Sequence, residues 1–124
     1  MSGAAGRLRD RRILVAEDEY MFADDLAEAL VEAGAIVAGP VARVGEALEL
    51  ARSGERLDGA VLDVNLAGEM VWPVADVLAA CGVPVLLVTG YDAEAIPAAH
   101  AHRPRCEKPV DAKAILSALA RTIG

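Results

Sequence analysis

Short apolar runs alternate along the chain with longer segments whose apolar residues recur at helical spacing. Ile13-Leu14-Val15-Ala16 is unbroken, which predicts a strand buried on both faces, as in a parallel sheet. From Tyr20 to Ala33, the residues Met21, Leu26, Ala29, Leu30 and Ala33 form one stripe, with Asp24, Asp25, Glu28 and Glu32 opposite it. That spacing predicts an amphipathic helix, and Gly34 stands where such a helix closes. Ile36-Val37-Ala38, ended by Gly39-Pro40, predicts a second strand, and Val44 to Ala51 a helix with Leu48 and Ala51 inward. Ala60-Val61-Leu62 predicts a third strand with Asp63 at its C-terminal end. A helix is predicted from Trp72 to Ala80, with Pro73 in the first turn where no N–H is needed, and Gly82 after it. Val83 to Val88 predicts a fourth strand, Ala93 to Ala99 a short helix, and Arg105-Cys106-Glu107 a weak fifth strand. Asp111 caps a last helix reaching Thr122, with Ile115, Leu116 and Leu119 inward.

Five β/α units predict an α/β fold with a parallel sheet covered on both faces. In such sheets ligands meet the carboxyl ends of the strands. Four of those ends carry chemistry: Glu17, Asp18 and Glu19 after the first, Asp63 with Asn65 after the third, Thr89 after the fourth, and Lys108-Pro109 after the fifth. Each alone is ordinary. An acidic triplet is usually a solvated helix start, a lone Asp a cap, and Thr-Gly a turn. Together they crowd carboxylates that must protonate or find a cation. Mg²⁺ suits a few carboxylates plus water and phosphate oxygens. An Asp carboxylate beside such an ion can attack phosphorus and become an aspartyl phosphate. A lysine and a hydroxyl nearby would hold the remaining phosphoryl oxygens.

Composition narrows the partners more than the fold. The 124 residues suit one domain, and 55% hydrophobic with 25% charged residues describes a compact protein. The net charge of −7 understates the acidity of the main body, because Arg7, Arg9, Arg11 and Arg12 face only Asp10 in the first twelve residues. We therefore divide the chain into an Arg-rich arm, 1–11, expected to be a frayed terminus, and a domain, 12–124. An acidic body disfavours nucleic acid. Unbroken apolar runs such as Val85-Leu86-Leu87-Val88 are far too short for a membrane span, and no signal peptide is expected. Cys81 and Cys106 have no metal-ligand or disulfide spacing. These features place the protein in the cytoplasm, away from membranes. His100 and His102, two apart, point to different faces and form no metal pair. Trp72 reads as a half-buried packing residue.

The segments Ile13-Leu14-Val15-Ala16-Glu17-Asp18-Glu19, Ala60-Val61-Leu62-Asp63-Val64-Asn65-Leu66, Leu87-Val88-Thr89-Gly90-Tyr91 and Glu107-Lys108-Pro109-Val110 resemble the receiver domain of bacterial response regulators from Arg12 to Gly124. The resemblance implies a doubly wound, flavodoxin-like (βα)5 fold with strand order 2-1-3-4-5. It implies that Asp63 is the phosphoacceptor and that Asp18, Glu17, Asp63 and the Asn65 backbone carbonyl hold Mg²⁺. Thr89 would be the switch hydroxyl and Lys108 the phosphate partner, with a cis peptide before Pro109. It implies a place in a two-component phosphorelay, fed by a sensor histidine kinase or a histidine phosphotransfer protein. The chain would catalyse only its own phosphorylation and dephosphorylation, and would be a monomer or a phosphorylation-dependent dimer. With nothing after the last helix, a stand-alone regulator is expected, with the fourth helix, fifth strand and fifth helix as readout face.

Three positions depart from the common pattern. Ala67 stands where many receivers have Pro, which predicts a looser loop. Glu17 replaces a frequent Asp. Arg105 replaces the aromatic that usually swings with the Thr. Val88-Thr89-Gly90-Tyr91 is similar in part to the Phe-Ala-Thr-Gly-Tyr subset of alphaproteobacterial receivers, in which Tyr91 could take part in switching. The alternatives are a degenerate receiver that binds partners without phosphorylation, or a receiver module of a larger regulator or hybrid kinase. An Asp-nucleophile phosphatase would need an acid where Asn65 stands. A nucleotide binder would not place Glu17-Asp18-Glu19 against phosphate.

Overall fold

The computed structural model describes residues 3–90 and 96–124. Its elements run α1 (Gly3–Leu8), β1 (Arg12–Ala16), α2 (Tyr20–Glu32), β2 (Ile36–Val41), α3 (Val44–Ala51), β3 (Gly59–Asp63), β4 (Asn65–Leu66), β5 (Glu69–Met70), α4 (Trp72–Ala80), β6 (Val85–Thr89), a 3-10 turn (Ala98–His100), β7 (Arg105–Glu107) and α5 (Ala112–Ile123). Five strands form one parallel sheet in the order β2-β1-β3-β6-β7. This is the expected flavodoxin-like order, renumbered because β4 and β5 are a small hairpin of their own.

The unbroken apolar runs are the inner strands. Alternate residues feed two cores. Leu14, Ala60, Leu62, Val85 and Leu87 pack under α3 and α4. Ile13, Val15, Val61, Leu86 and Val88 pack under α2 and α5. Each side of the strand is apolar because each side meets a helix layer. β3 and α5 touch closely: a Cβ on Gly59 would lie 2.9 Å from Ile123 Cδ1.

Several expectations need correction. Met21 is not on the inner stripe of α2 but 76% exposed; Ala23, Leu26 and Leu30 define the buried face, and Met21 falls nearly opposite it. In α3 the fully buried residues are Val44 and Ala47, with Leu48 and Ala51 half-buried. β2 continues through the cis Gly39–Pro40 peptide, with a register shift against β1. Pro40 is tolerated because β2 is an edge strand. The fourth strand starts at Val85. Of the helix expected over 93–99, the described part is the turn Ala98–His100, and residues 91–95 lie outside the described residues. The Arg-rich start contains a helical turn: Leu8 is fully buried in the α2/α5 core, and α1 packs on α5.

Candidate functional site

Asp63 is the last residue of β3, and its neighbours in the sheet bring the rest. β1 ends at Ala16, so Glu17 and Asp18 emerge beside it, while β6 ends at Thr89. β7 leads into Lys108, whose N–H donates to the Thr89 carbonyl at 2.8 Å, and the Lys108–Pro109 peptide is cis. Glu17, Asp63 and Thr89 are buried, and burying polar side chains costs free energy unless something satisfies them.

The Lys108 ammonium supplies part of that. Its Nζ lies 3.0 Å from Asp63 Oδ2, 3.1 Å from Glu17 Oε1 and 3.0 Å from Glu19 Oε2, and 5.3 Å from the centre of the Phe22 ring. Backbone groups do more: Asn65 N–H donates to Asp63 Oδ1 at 3.1 Å and Glu19 N–H to Glu17 Oε2 at 2.8 Å. Carboxylate oxygens of Glu17, Asp18 and Asp63 all lie within 4.8 Å of one another. One lysine cannot neutralise that surplus. Burial pushes the Glu17 carboxyl up to about 8 against the lowering pull of the Glu19 N–H; the Asp63 charge adds to the rise and Lys108 opposes it. Burial also pushes Lys108 toward its neutral form, but hydrogen bonds to Asp63 and Glu19 and the charges of Asp63 and Glu17 outweigh that and hold it above the ordinary lysine range.

Two features were invisible in the motif alone. The first is how Asp18 is held. Its Oδ2 accepts the Ala67 N–H at 3.0 Å, and Ala67-Gly68 is the two-residue turn of the β4–β5 hairpin, with φ of 52° and 92°. Proline at 67 could neither reach that φ nor donate that N–H. The loop after Asp63 is thus a hydrogen-bonded hairpin, closed further by Gly68 N–H on Asn65 Oδ1 at 2.8 Å. The second is Thr89, 1% exposed, whose Oγ1 has no hydrogen-bond partner among the described residues. Beside the cluster opens a cleft of about 620 Å³ lined by Met21, Phe22, Pro109 and Val110 with Asp18, Glu19, Asp25, Gly90 and Lys108. Arg105 points to solvent on the edge strand, and Tyr91 lies outside the described residues.

No known family model matches the sequence, and no curated protein does. Solved structures do. The chain is similar to SdrG from Sphingomonas melonis Fr1, at 33% identity and a TM-score of 0.79, over 100% of both chains. It is similar to a response regulator receiver protein from Sinorhizobium medicae WSM419, at 25% identity and a TM-score of 0.74, over 94% of this chain and 96% of that one. The chain belongs to the response-regulator receiver family. The response regulator PhyR from Brucella abortus shares the receiver fold, at 22% identity and a TM-score of 0.79 over 98% of this chain and 51% of that one. In this receiver Glu17, Asp18, Asp63 and Lys108 come together at one end of the sheet, and Thr89 stands on the strand beside Asp63. Among the described residues no helix is long and apolar enough to cross a membrane.

Proposed function

We propose that this receiver accepts a phosphoryl group on Asp63 from a phosphohistidine of a sensor histidine kinase or histidine phosphotransfer protein, and that the modified state changes its protein contacts. The observation that supports this most is the buried Asp63 carboxylate, held at Oδ1 by a backbone N–H and at Oδ2 by Lys108, inside a surplus of negative charge.

The donor set fits Mg²⁺. It consists of hard oxygen ligands from Glu17, Asp18 and Asp63, and the family resemblance adds the Asn65 carbonyl. The orphaned Thr89 hydroxyl fits a phosphoryl oxygen. When bound, the ion would offset negative charge on the transferring group. In the step itself, an Asp63 oxygen forms a bond to phosphorus, the histidine N–P bond breaks, and the imidazole nitrogen leaves with that electron pair and takes up a proton. Lys108 holds a phosphoryl oxygen as a point charge. Thr89 donates its hydroxyl to another. Because Thr89 ends β6, its movement toward the added charge acts on the β6–β7 connection. The cleft beside Lys108, with exposed Met21 in its lining, suits docking of the donor's apolar surface.

Intact-mass spectrometry after incubation with acetyl phosphate and Mg²⁺ tests this. One phosphoryl adduct that needs Mg²⁺ and is absent from Asp63→Asn supports the reading. No adduct with acetyl phosphate or with a phosphohistidine donor would leave a receiver that acts by binding alone.

A further inference from the structure

His100 is the one strongly buried side chain of the β6–β7 connection that could ionise among the described residues, being 4% exposed, and the phosphoryl chemistry does not use it. Its hydrogen-bond partners select its tautomer. Arg103 Nε lies 2.9 Å from Nδ1. Arginine only donates, so Nδ1 is a bare acceptor and the ring proton sits on Nε2. Nε2 in turn donates to Asp76 Oδ1 at 2.8 Å. The ring also stacks on Trp72, with centroids 5.3 Å apart and planes 13° from parallel. Trp72 and Asp76, four apart on α4, form one face of a turn and grip the imidazole together. Asp76 and Arg103 are the charged groups that contact the ring, one from α4 and one from the ring's own connection.

What this clamp holds leads back to the site. Arg103 N–H donates to the His100 carbonyl at 3.1 Å, the next residue, Pro104, accepts Leu87 N–H at 3.0 Å, and β7 then runs directly to Lys108. β7 has three residues and pairs with β6 alone at the sheet edge. So short an edge strand has few ladder bonds to set its position. Trp72, at the other end of the clamp, opens the helix that follows the Asp63 hairpin. We propose that His100 is a positioning residue: clamped by Asp76, Arg103 and Trp72, it ties the start of β7 to α4 and so sets where Lys108 stands against Asp63. The proposal rests on the phosphoacceptor reading of that site.

The test uses the full chain and acetyl phosphate with Mg²⁺, reading the rate of phosphoryl labelling by intact mass and folding by thermal melts. Asp76 is largely exposed, so Asp76→Ala should keep its fold while slowing labelling about fivefold. Asp76→Asn, whose amide oxygen still accepts the Nε2 proton, should stay within about twofold of the parent. His100→Phe keeps the stack but loses both hydrogen bonds, and should slow labelling at least as much as Asp76→Ala. If His100→Phe does not fold, Asp76→Ala and the ring ¹⁵N shifts of the parent carry the test. Those shifts should show the proton on Nε2. A parent that labels normally while Asp76→Ala labels equally fast, or a ring proton on Nδ1, overturns the clamp and leaves the phosphoacceptor reading intact. A parent that does not label at all overturns that reading first, and the clamp's role with it.

Discussion

The sheet has charged groups at both ends, and they are built differently. At the N-terminal ends of the strands, Asp58 accepts the Arg12 N–H at 2.9 Å and faces Arg56 at 3.1 Å and Arg11 at 3.7 Å. Arg12 pairs with Glu55 at 2.7 Å. Arg56 is exposed, Arg11 and Arg12 are half-buried with Arg12 Nε lacking a partner among the described residues, and every acid of this cluster has at least one cation. At the C-terminal ends the acids outnumber the cation, Glu17 and Asp63 are buried, and a threonine hydroxyl beside them has no partner. The first arrangement is balanced: Asp58, its side chain only 11% exposed, is met by a backbone N–H and two guanidiniums, so its charge is compensated where it lies. The second is unbalanced and dry, so it costs stability that a structural role would not require. Imbalance under burial, more than the presence of charge, separates the working end from the supporting end.

Substitutions can sharpen or break this contrast, and we order them by expected size. Lys108→Met strands Asp63 and Glu17 without their cation, and should lower stability by about 3 kcal/mol in urea melts without divalent ions. Part of this should return on adding Mg²⁺. Ala67→Pro removes the N–H that holds Asp18 and excludes the positive φ, and should cost about 2 kcal/mol while weakening the response of the melt to Mg²⁺. In melts run above about pH 8, where the Glu17 carboxyl is ionised, Glu17→Gln keeps the shape and the acceptor but removes one crowded charge. It should raise stability without Mg²⁺ by about 1 kcal/mol and shrink the gain on adding Mg²⁺. The comparable change at the other end, Asp58→Asn, should have the opposite sign, a loss of about 1 kcal/mol that Mg²⁺ does not alter. Arg56→Ala should change stability by less than about 0.5 kcal/mol. Equal signs for Glu17→Gln and Asp58→Asn would break the contrast.

The inner strands were legible because burial on two faces leaves a signature that only apolar residues satisfy. Ile13 to Ala16 and Ala60 to Asp63 could be read directly, and with them the strand ends that carry Glu17 and Asp63. Met21 misled because an apolar residue on a helix signals burial only when its neighbours at three and four positions agree, and Ala23, Leu26 and Leu30 set a different face. The β4–β5 hairpin was missed because its turn, Ala67-Gly68, has alanine where asparagine or glycine would announce a positive φ. Leu8 was hidden between arginines, where charge pattern outweighed one apolar residue that fills the end of the α2/α5 core. The His100 clamp was beyond reach, since Asp76 and His100 are 24 residues apart and nothing in spacing links them.

The central claim is that Asp63 carries the phosphoryl group. After incubation with acetyl phosphate and Mg²⁺, borohydride reduction of the acyl phosphate followed by peptide mass mapping locates the modified carboxyl. The account predicts that position 63 alone is reduced, in a Mg²⁺-dependent manner. Reduction at Glu17, Asp18 or another acid, or at none while the protein remains folded, would contradict it.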